Sequence, residues 1–192
     1  MYVLFEGIDR AGKSTQIELL QHTFPQAIFT KEPGGTPLGK KIRQIILHTQ
    51  NPSALAELFL FLADRAEHTQ KVIRPNSNRL IISDRGFISG IAYAHIKTKI
   101  SLQRLYWLNA IAMQHTMPDK IIFIKLNKEE LKKRLSLQPL DNIEQRGLQY
   151  LLDVQEIMQN LIIHSKIAHL IIDGAKPIQE IHNKIVAFIK DS

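Results

Sequence analysis

Gly7-Ile8-Asp9-Arg10-Ala11-Gly12-Lys13-Ser14 satisfies the pattern G-x-x-x-x-G-K-[ST] in full. In such a stretch the glycines let the backbone turn its N–H groups toward an anion, the lysine ammonium reaches β- and γ-phosphates, and the terminal hydroxyl ligates Mg2+. The chemistry needs a strand before the loop and a helix after it. Tyr2-Val3-Leu4-Phe5-Glu6 is β-branched and aromatic and reads as a buried strand. From Ser14 to Phe24, Ile17, Leu20 and Phe24 fall on one helical face. Gly7, Ile8, Asp9, Arg10, Ala11, Gly12, Lys13, Ser14 and Thr15 therefore read as a nucleotide-phosphate site, with Lys13 as the clamp and Ser14 as the metal ligand.

The remaining chemistry-bearing residues sit at other junctions. Ala27-Ile28-Phe29-Thr30 reads as a second strand, running into the turn Lys31-Glu32-Pro33-Gly34-Gly35-Thr36. Arg79-Leu80-Ile81-Ile82-Ser83-Asp84 reads as a third strand, ending in the charge pair Asp84-Arg85. In a parallel sheet covered by helices, ligands bind beyond the carboxyl ends of the strands, so these three loops should converge on one cleft. Arg43 and Arg65 lie on helices that follow the second loop. A cluster of guanidiniums beside a phosphate loop predicts a second anionic ligand, because arginine grips phosphate oxygens bidentately.

The rest of the chain supplies the scaffold. A helix carries Leu38, Ile42, Ile45 and Ile46 on one side, and Ser53 is an N-cap for a longer helix running to about Ile73. That second helix is apolar around most of its girth over Ala54 to Ala63, which predicts burial on two sides, by its own core and by a second subunit. A helix from about Ser101 to Thr116 precedes the strongest strand, Lys120-Ile121-Ile122-Phe123-Ile124-Lys125-Leu126. Lys128 to Leu135 reads as a short basic helix, and the polar segment 136–147 as a mobile lid. Leu151, Val154, Met158 and Leu161 mark a further helix, His169 to Asp173 a last strand, and Ile178, Ile181, Ile185 and Phe188 a terminal helix. Strands alternating with helices predict an α/β, three-layer architecture: about five parallel strands with helices on both faces.

One domain spanning 1–192 is expected, large enough for its own core. With no cysteine, disulfides and thiolate metal sites are excluded. The phosphate loop begins almost at Met1, and no apolar run approaches the ~20 residues that span a bilayer, so a soluble cytoplasmic protein is expected. The net charge of +7 and pI near 9.6 suit a nucleic-acid binder and equally an enzyme handling two polyphosphates.

Four stretches together resemble the thymidylate kinase family over nearly the whole chain. They are Phe5 to Gln16, Lys31 to Gly39, the helix Phe61-Leu62-Ala63-Asp64-Arg65-Ala66-Glu67-His68, and Ser83-Asp84-Arg85 with Ser89 and Ala92-Tyr93 behind it. The resemblance implies transfer of the ATP γ-phosphoryl group to dTMP with Mg2+, within dTTP biosynthesis, by a homodimer. By matching position it implies that Asp9 sits near the dTMP 3′-hydroxyl and that Arg43 and Arg85 hold its phosphate. Arg65 would recognise the base, Phe61 would stack on it, Gly90 would line the same site, and Tyr93 would crowd the 2′-position. Asp84 would stand beside the metal through water. The attacking phosphate oxygen is already largely anionic near neutral pH, so no general base and no catalytic histidine is expected. The work falls to cations that bring two polyanions into line: Lys13, Arg10, Arg85 and Mg2+.

Three departures qualify the likeness. The lid carries Asp141-Asn142-Ile143-Glu144 where members commonly have Asp-Arg-x-Glu, while Arg10 stands in the phosphate loop where others have glycine. The resemblance to members that carry this arginine in the phosphate loop rather than in the lid implies that Arg10 is the transition-state arginine. Lys31 replaces the arginine usual before Glu-Pro-Gly-Gly, and Gly86 the tyrosine or histidine usual after Asp-Arg. The nearest rival is a kinase for another nucleoside monophosphate or for a deoxynucleoside, the latter needing Glu6 or Asp84 as a base. A basic P-loop protein that binds nucleic acid is a further alternative, but it would require a basic stripe interleaved with aromatics. The clearest basic run, Lys132-Lys133-Arg134, lies instead beside the lid, so neither stable nucleic-acid binding nor membrane association is expected.

Overall fold

Val3, Leu4 and Phe5 are wholly buried because their strand, β1 (Tyr2–Glu6), is the middle of a five-stranded sheet. The computed structural model describes residues 1–49, 52–137 and 147–191. The other strands are β2 (Ile28–Lys31), β3 (Ile81–Asp84), β4 (Lys120–Lys125) and β5 (Ala168–Asp173), in the order β2-β3-β1-β4-β5, every neighbouring pair parallel. Covered on both faces, the central strands read as continuous apolar runs rather than alternating ones, as Ile121 to Ile124 illustrate. The chain visits the β2–β3 side first and then crosses past β1 to β4, so the loop after β1 lies where the winding reverses direction.

Eight α-helices are present among the described residues: α1 (Lys13–Thr23), α2 (Pro37–His48), α3 (Ala54–His68), α4 (Phe87–Thr98), α5 (Leu102–Ala112), α6 (Lys128–Leu135), α7 (Leu148–His164) and α8 (Ile178–Lys190). Their starts are chemically marked. Thr36 caps α2 by accepting the Gly39 N–H at 2.9 Å, with Pro37 in the first turn, and Asn127 caps α6 by accepting from Glu130 at 2.8 Å. Ser53 caps α3 as its position suggested, and the predicted run to Ile73 is continuous but changes from α- to π-helix over Thr69–Ile73. Leu151, Val154, Met158 and Ile162 on α7 are completely buried, each side chain contributing about 1.5–3 kcal/mol of burial free energy.

Two expectations need adjustment. The α2 stripe does not all face inward: Ile42 is buried, whereas Leu38 and Ile45 are exposed, because the period marks a face without saying what covers it. On α7, Ile162 rather than Leu161 completes the fully buried row. The lid expected over 136–147 falls mostly on 138–146, outside the described residues.

Candidate active site

The loop between β1 and α1 turns on glycines at positive φ, and Gly7 admits no substitute. A Cβ there would lie 2.5 Å from the Ile124 carbonyl oxygen on β4. Arg10 takes a left-handed conformation at φ 62°, a costly one for a residue with a side chain. Lys13 Nζ donates to the carbonyls of Gly7 and Ile8, both at 2.9 Å. Burial, and after it the nearby Arg85 charge, pull the Lys13 pKa down to about 8. Asp9, Arg10, Gly12, Lys13, Ser14 and Thr15 line one cavity together with Lys31, Glu32, Arg43, Asp84, Arg85 and Arg134. Asp84 Oδ1 is buried there with no hydrogen-bond partner among the described residues. An orphaned carboxylate oxygen on a residue that lines the same cavity as Ser14 fits a hydrated cation.

A second cavity adjoins the first, and Asp9, Glu32, Arg43 and Arg85 line both. Arg85 dominates the junction. Its Nη2 meets Asp9 Oδ1 at 2.5 Å, and its Nη1 donates to the Gly7 carbonyl at 2.9 Å and to Ser89 Oγ at 3.1 Å. Burial works against the Asp9 charge, but Arg85 and Lys13 outweigh it and hold the carboxyl below its ordinary range. Behind Arg85, Ser89 donates from both N–H and Oγ to the buried Glu6 carboxyl, whose pKa burial pushes up. The Arg85 guanidinium carbon lies 6.0 Å from the Tyr93 ring centre, and Arg43 donates to the Pro33 carbonyl at 3.2 Å.

The far end of the second cavity is built by α3 and α4. Phe61, Arg65, Gly90 and Tyr93 line it, with Ile46 and Leu58 completing an apolar wall. Arg65 is buried and donates from Nε to Glu32 Oε2 at 2.8 Å and from Nη1 to Asn109 Oδ1 at 2.5 Å. His68 Nδ1 lies 2.8 Å from Glu32 Oε1, its Nε2 lies 2.7 Å from Thr30 Oγ1, and the Gly34 N–H donates to Asp64 Oδ1 at 3.0 Å. This network ties the Glu32–Thr36 loop to α3. Burial opposes the Glu32 charge, but Arg65 and then His68 prevail and lower its pKa. At the opposite side, Arg10 Nη1 donates to the Arg134 carbonyl and Arg134 Nη1 returns a bond to the Arg10 carbonyl, both at 2.8 Å. Arg134 also reaches Gly174 at 2.7 Å and Glu130 at 2.7 Å, joining the phosphate loop, α6 and the turn after β5.

All seven residues expected at the acceptor, Asp9, Arg43, Phe61, Arg65, Arg85, Gly90 and Tyr93, line the second cavity. Ser14 and Asp84, expected at the metal, line the first, and so does Lys31. Gly86 lines the second, with Leu4 packed where its side chain would be. Sequence reasoning missed the hub role of Glu32, whose motif was visible but whose partners were not. It also missed Asn109, for which a lone asparagine in an apolar helix offers no signal, and the Glu6–Ser89 support of Arg85.

Residues 5–185 match the family model described as Thymidylate kinase. The chain is 51% identical over 193 residues to the thymidylate kinase of Campylobacter curvus (strain 525.92), covering 99% of this chain and all of the relative. It is 50% identical over 189 residues to that of Aliarcobacter butzleri (strain RM4018), covering 98% of each, and 48% identical over 190 residues to that of Sulfurovum sp. (strain NBC37-1), covering 99% and 100%.

Proposed function

This chain belongs to the thymidylate kinase family, and from that premise we propose that it transfers the γ-phosphoryl group of ATP to dTMP, yielding ADP and dTDP for dTTP synthesis. The observation that carries this reading is the pair of cavities meeting at Asp9, Glu32, Arg43 and Arg85. One is a phosphate loop, and the other ends in an aromatic ring and a buried arginine suited to a base. Two guanidiniums at the junction call for an acceptor that is itself anionic. A nucleoside hydroxyl would bring them no anionic oxygens, leaving only the Asp9 carboxylate that Arg85 already meets.

In this reading the loop N–H groups of Gly7 through Thr15 and Lys13 hold the ATP phosphates, and Arg43 and Arg85 hold the dTMP phosphate. Asp9 stands near the 3′-hydroxyl, Phe61 stacks on thymine, Arg65 and Gly90 face the base, and Tyr93 crowds the 2′-position. A dTMP phosphate oxygen forms the new bond to the γ-phosphorus while the β–γ bridging P–O bond breaks and ADP departs. No proton must be removed, so the residues act by alignment and by offsetting charge. Arg10 and Arg85 supply cations to the transferring group in addition to Lys13. Mg2+, when bound, neutralises phosphate charge, and Ser14 and, through water, Asp84 are the residues that would hold it; the orphaned Asp84 Oδ1 supports this.

The same reading has the chain as one domain with a lid over 136–147, paired as a homodimer and working in the cytoplasm. No helix among the described residues is long and apolar enough to cross a membrane. ADP production from ATP and Mg2+ across a panel of nucleoside monophosphates is the decisive test. We expect turnover with dTMP, and turnover confined to AMP or GMP would refute the assignment.

A further inference from the structure

We infer that Asn109, which does not line the cavity, is a positioning residue that sets the donor pattern Arg65 presents to the base and so contributes to the choice between pyrimidines. The inference rests on the reading above that Arg65 faces the base. A guanidinium carries five N–H donors and no acceptor. Glu32 takes the Nε donor at 2.8 Å and Asn109 takes one Nη1 donor at 2.5 Å, which leaves the second Nη1 donor and both on Nη2. Nη2 has no hydrogen-bond partner among the described residues, and Arg65 lines the cavity. Gly90 closes the remaining side, since a Cβ there would sit 3.0 Å from both Nη1 and Nη2.

Asn109 can act in only one orientation. Its Nδ2 donates to the Leu105 carbonyl one turn back at 2.7 Å, so its oxygen must point at Arg65. A flipped amide would set N–H against guanidinium. The residue is 1% exposed and so out of reach of bulk solvent. Clamped on two sides, Arg65 offers donors alone in a fixed direction. A base with a carbonyl at the 4-position satisfies them. One with an amino group there sets donor against donor, and a buried site built to hydrogen-bond one partner rejects the other strongly. Without Asn109 the guanidinium could rotate about its Glu32 bond and the discrimination would weaken.

Steady-state kinetics with dTMP and dCMP test this in Asn109→Ala, in Asn109→Leu, which fills the same volume, and in Asn109→Asp, which keeps the acceptor. For Ala and Leu we expect KM for dTMP to rise about tenfold, equivalent to about 1.4 kcal/mol. We expect kcat and KM for ATP to stay within about threefold, and the dTMP/dCMP ratio of kcat/KM to fall about tenfold. Asn109→Asp should retain most of the ratio. In an Arg65→Ala background Asn109→Ala should add nothing, because both act through one guanidinium. If Arg65→Ala lowers the ratio and Asn109→Ala does not, the inference about Asn109 is wrong while the role of Arg65 stands. If Arg65→Ala itself leaves the ratio unchanged, the base reading of Arg65 is wrong. Equal rises in KM for dTMP and ATP in both Asn109→Ala and Asn109→Leu would mark general loosening and also overturn the inference.

Discussion

Arg10 holds a left-handed backbone that glycine would adopt more cheaply, so its side chain must justify the strain. Arg10→Gly should therefore leave folding intact while cutting kcat by orders of magnitude, since arginines that meet a transferring phosphoryl group are worth roughly 10³–10⁵. ATP and dTMP binding should stay within about tenfold, because the contact strengthens in the transition state. A near-normal kcat would shift the role to Arg134, whose guanidinium already lies on the Arg10 carbonyl. Lys13 yields a second expectation. With its pKa pulled down to about 8, part of Lys13 is neutral at pH 8, and bound phosphates will draw the proton on. Nucleotide binding at pH 8 should thus be accompanied by net proton uptake. Calorimetry in buffers of different ionisation enthalpy should detect this, and the uptake should disappear in Lys13→Met. Phe61→Ala, which removes a ring from the acceptor cavity alone, should raise KM for dTMP and leave that for ATP nearly unchanged in steady-state assays.

The loop between β2 and α2 keeps a backbone bond to the end of β3, from the Glu32 N–H to the Asp84 carbonyl at 3.0 Å, and its side chains tie it to α3. Glu32 makes that tie through Arg65 and His68, and all three are buried. Truncating Glu32 to Ala leaves a buried guanidinium without its counter-charge, a change that costs about 3–5 kcal/mol. Urea titration should show the unfolding free energy reduced by that amount, read as a lower midpoint at an unchanged slope. The sign of the pH dependence follows from the lowered Glu32 pKa. Below its ordinary value near 4.5 the unfolded chain binds the proton first, so the stability contributed by the ionised form is complete above that pH. It is lost as pH falls through the folded-state value. Glu32→Gln should flatten the acid limb of the stability profile, and an unchanged limb would place the acid sensitivity elsewhere.

On the outside of the molecule, Leu55 and Phe59 of α3, Trp107 and Ile111 of α5, and Leu38 and Ile45 of α2 are all exposed. Trp107 is 64% exposed and Phe59 59%, and these are the rings that the proposed homodimer would cover. The helix α3 thus divides its apolar girth: Leu58 faces the core and Phe59 faces out. Light scattering at micromolar concentration should give twice the 22.0 kDa chain mass, and Phe59→Glu with Trp107→Glu should return the monomer. A monomer in the unmodified chain would mean that this apolar surface serves another purpose. Acceptor cavity residues on α3 lie on the same helix as Phe59, so the paired and separated forms should also differ in KM for dTMP.

What the sequence determined by itself is whatever depends on chain neighbours. The turn of Gly7 to Ser14, the cap at Ser53 and the five apolar strands need only local backbone sterics and burial preference. Motif order then placed Arg85 at a strand end and Arg43 and Arg65 on helices facing the same space, because in a parallel sheet every strand ends on the same side, while Tyr93 was legible only through the family resemblance. Tertiary structure alone decided the pairings. Arg65 meets Asn109 from 44 positions away and Arg10 meets Arg134 from 124, contacts set by which helices pack together and invisible to periodicity. It likewise decided that Ile42 is covered and Ile45 is not. An apolar stripe records that a face avoids water, and only the assembled neighbours determine what shields it.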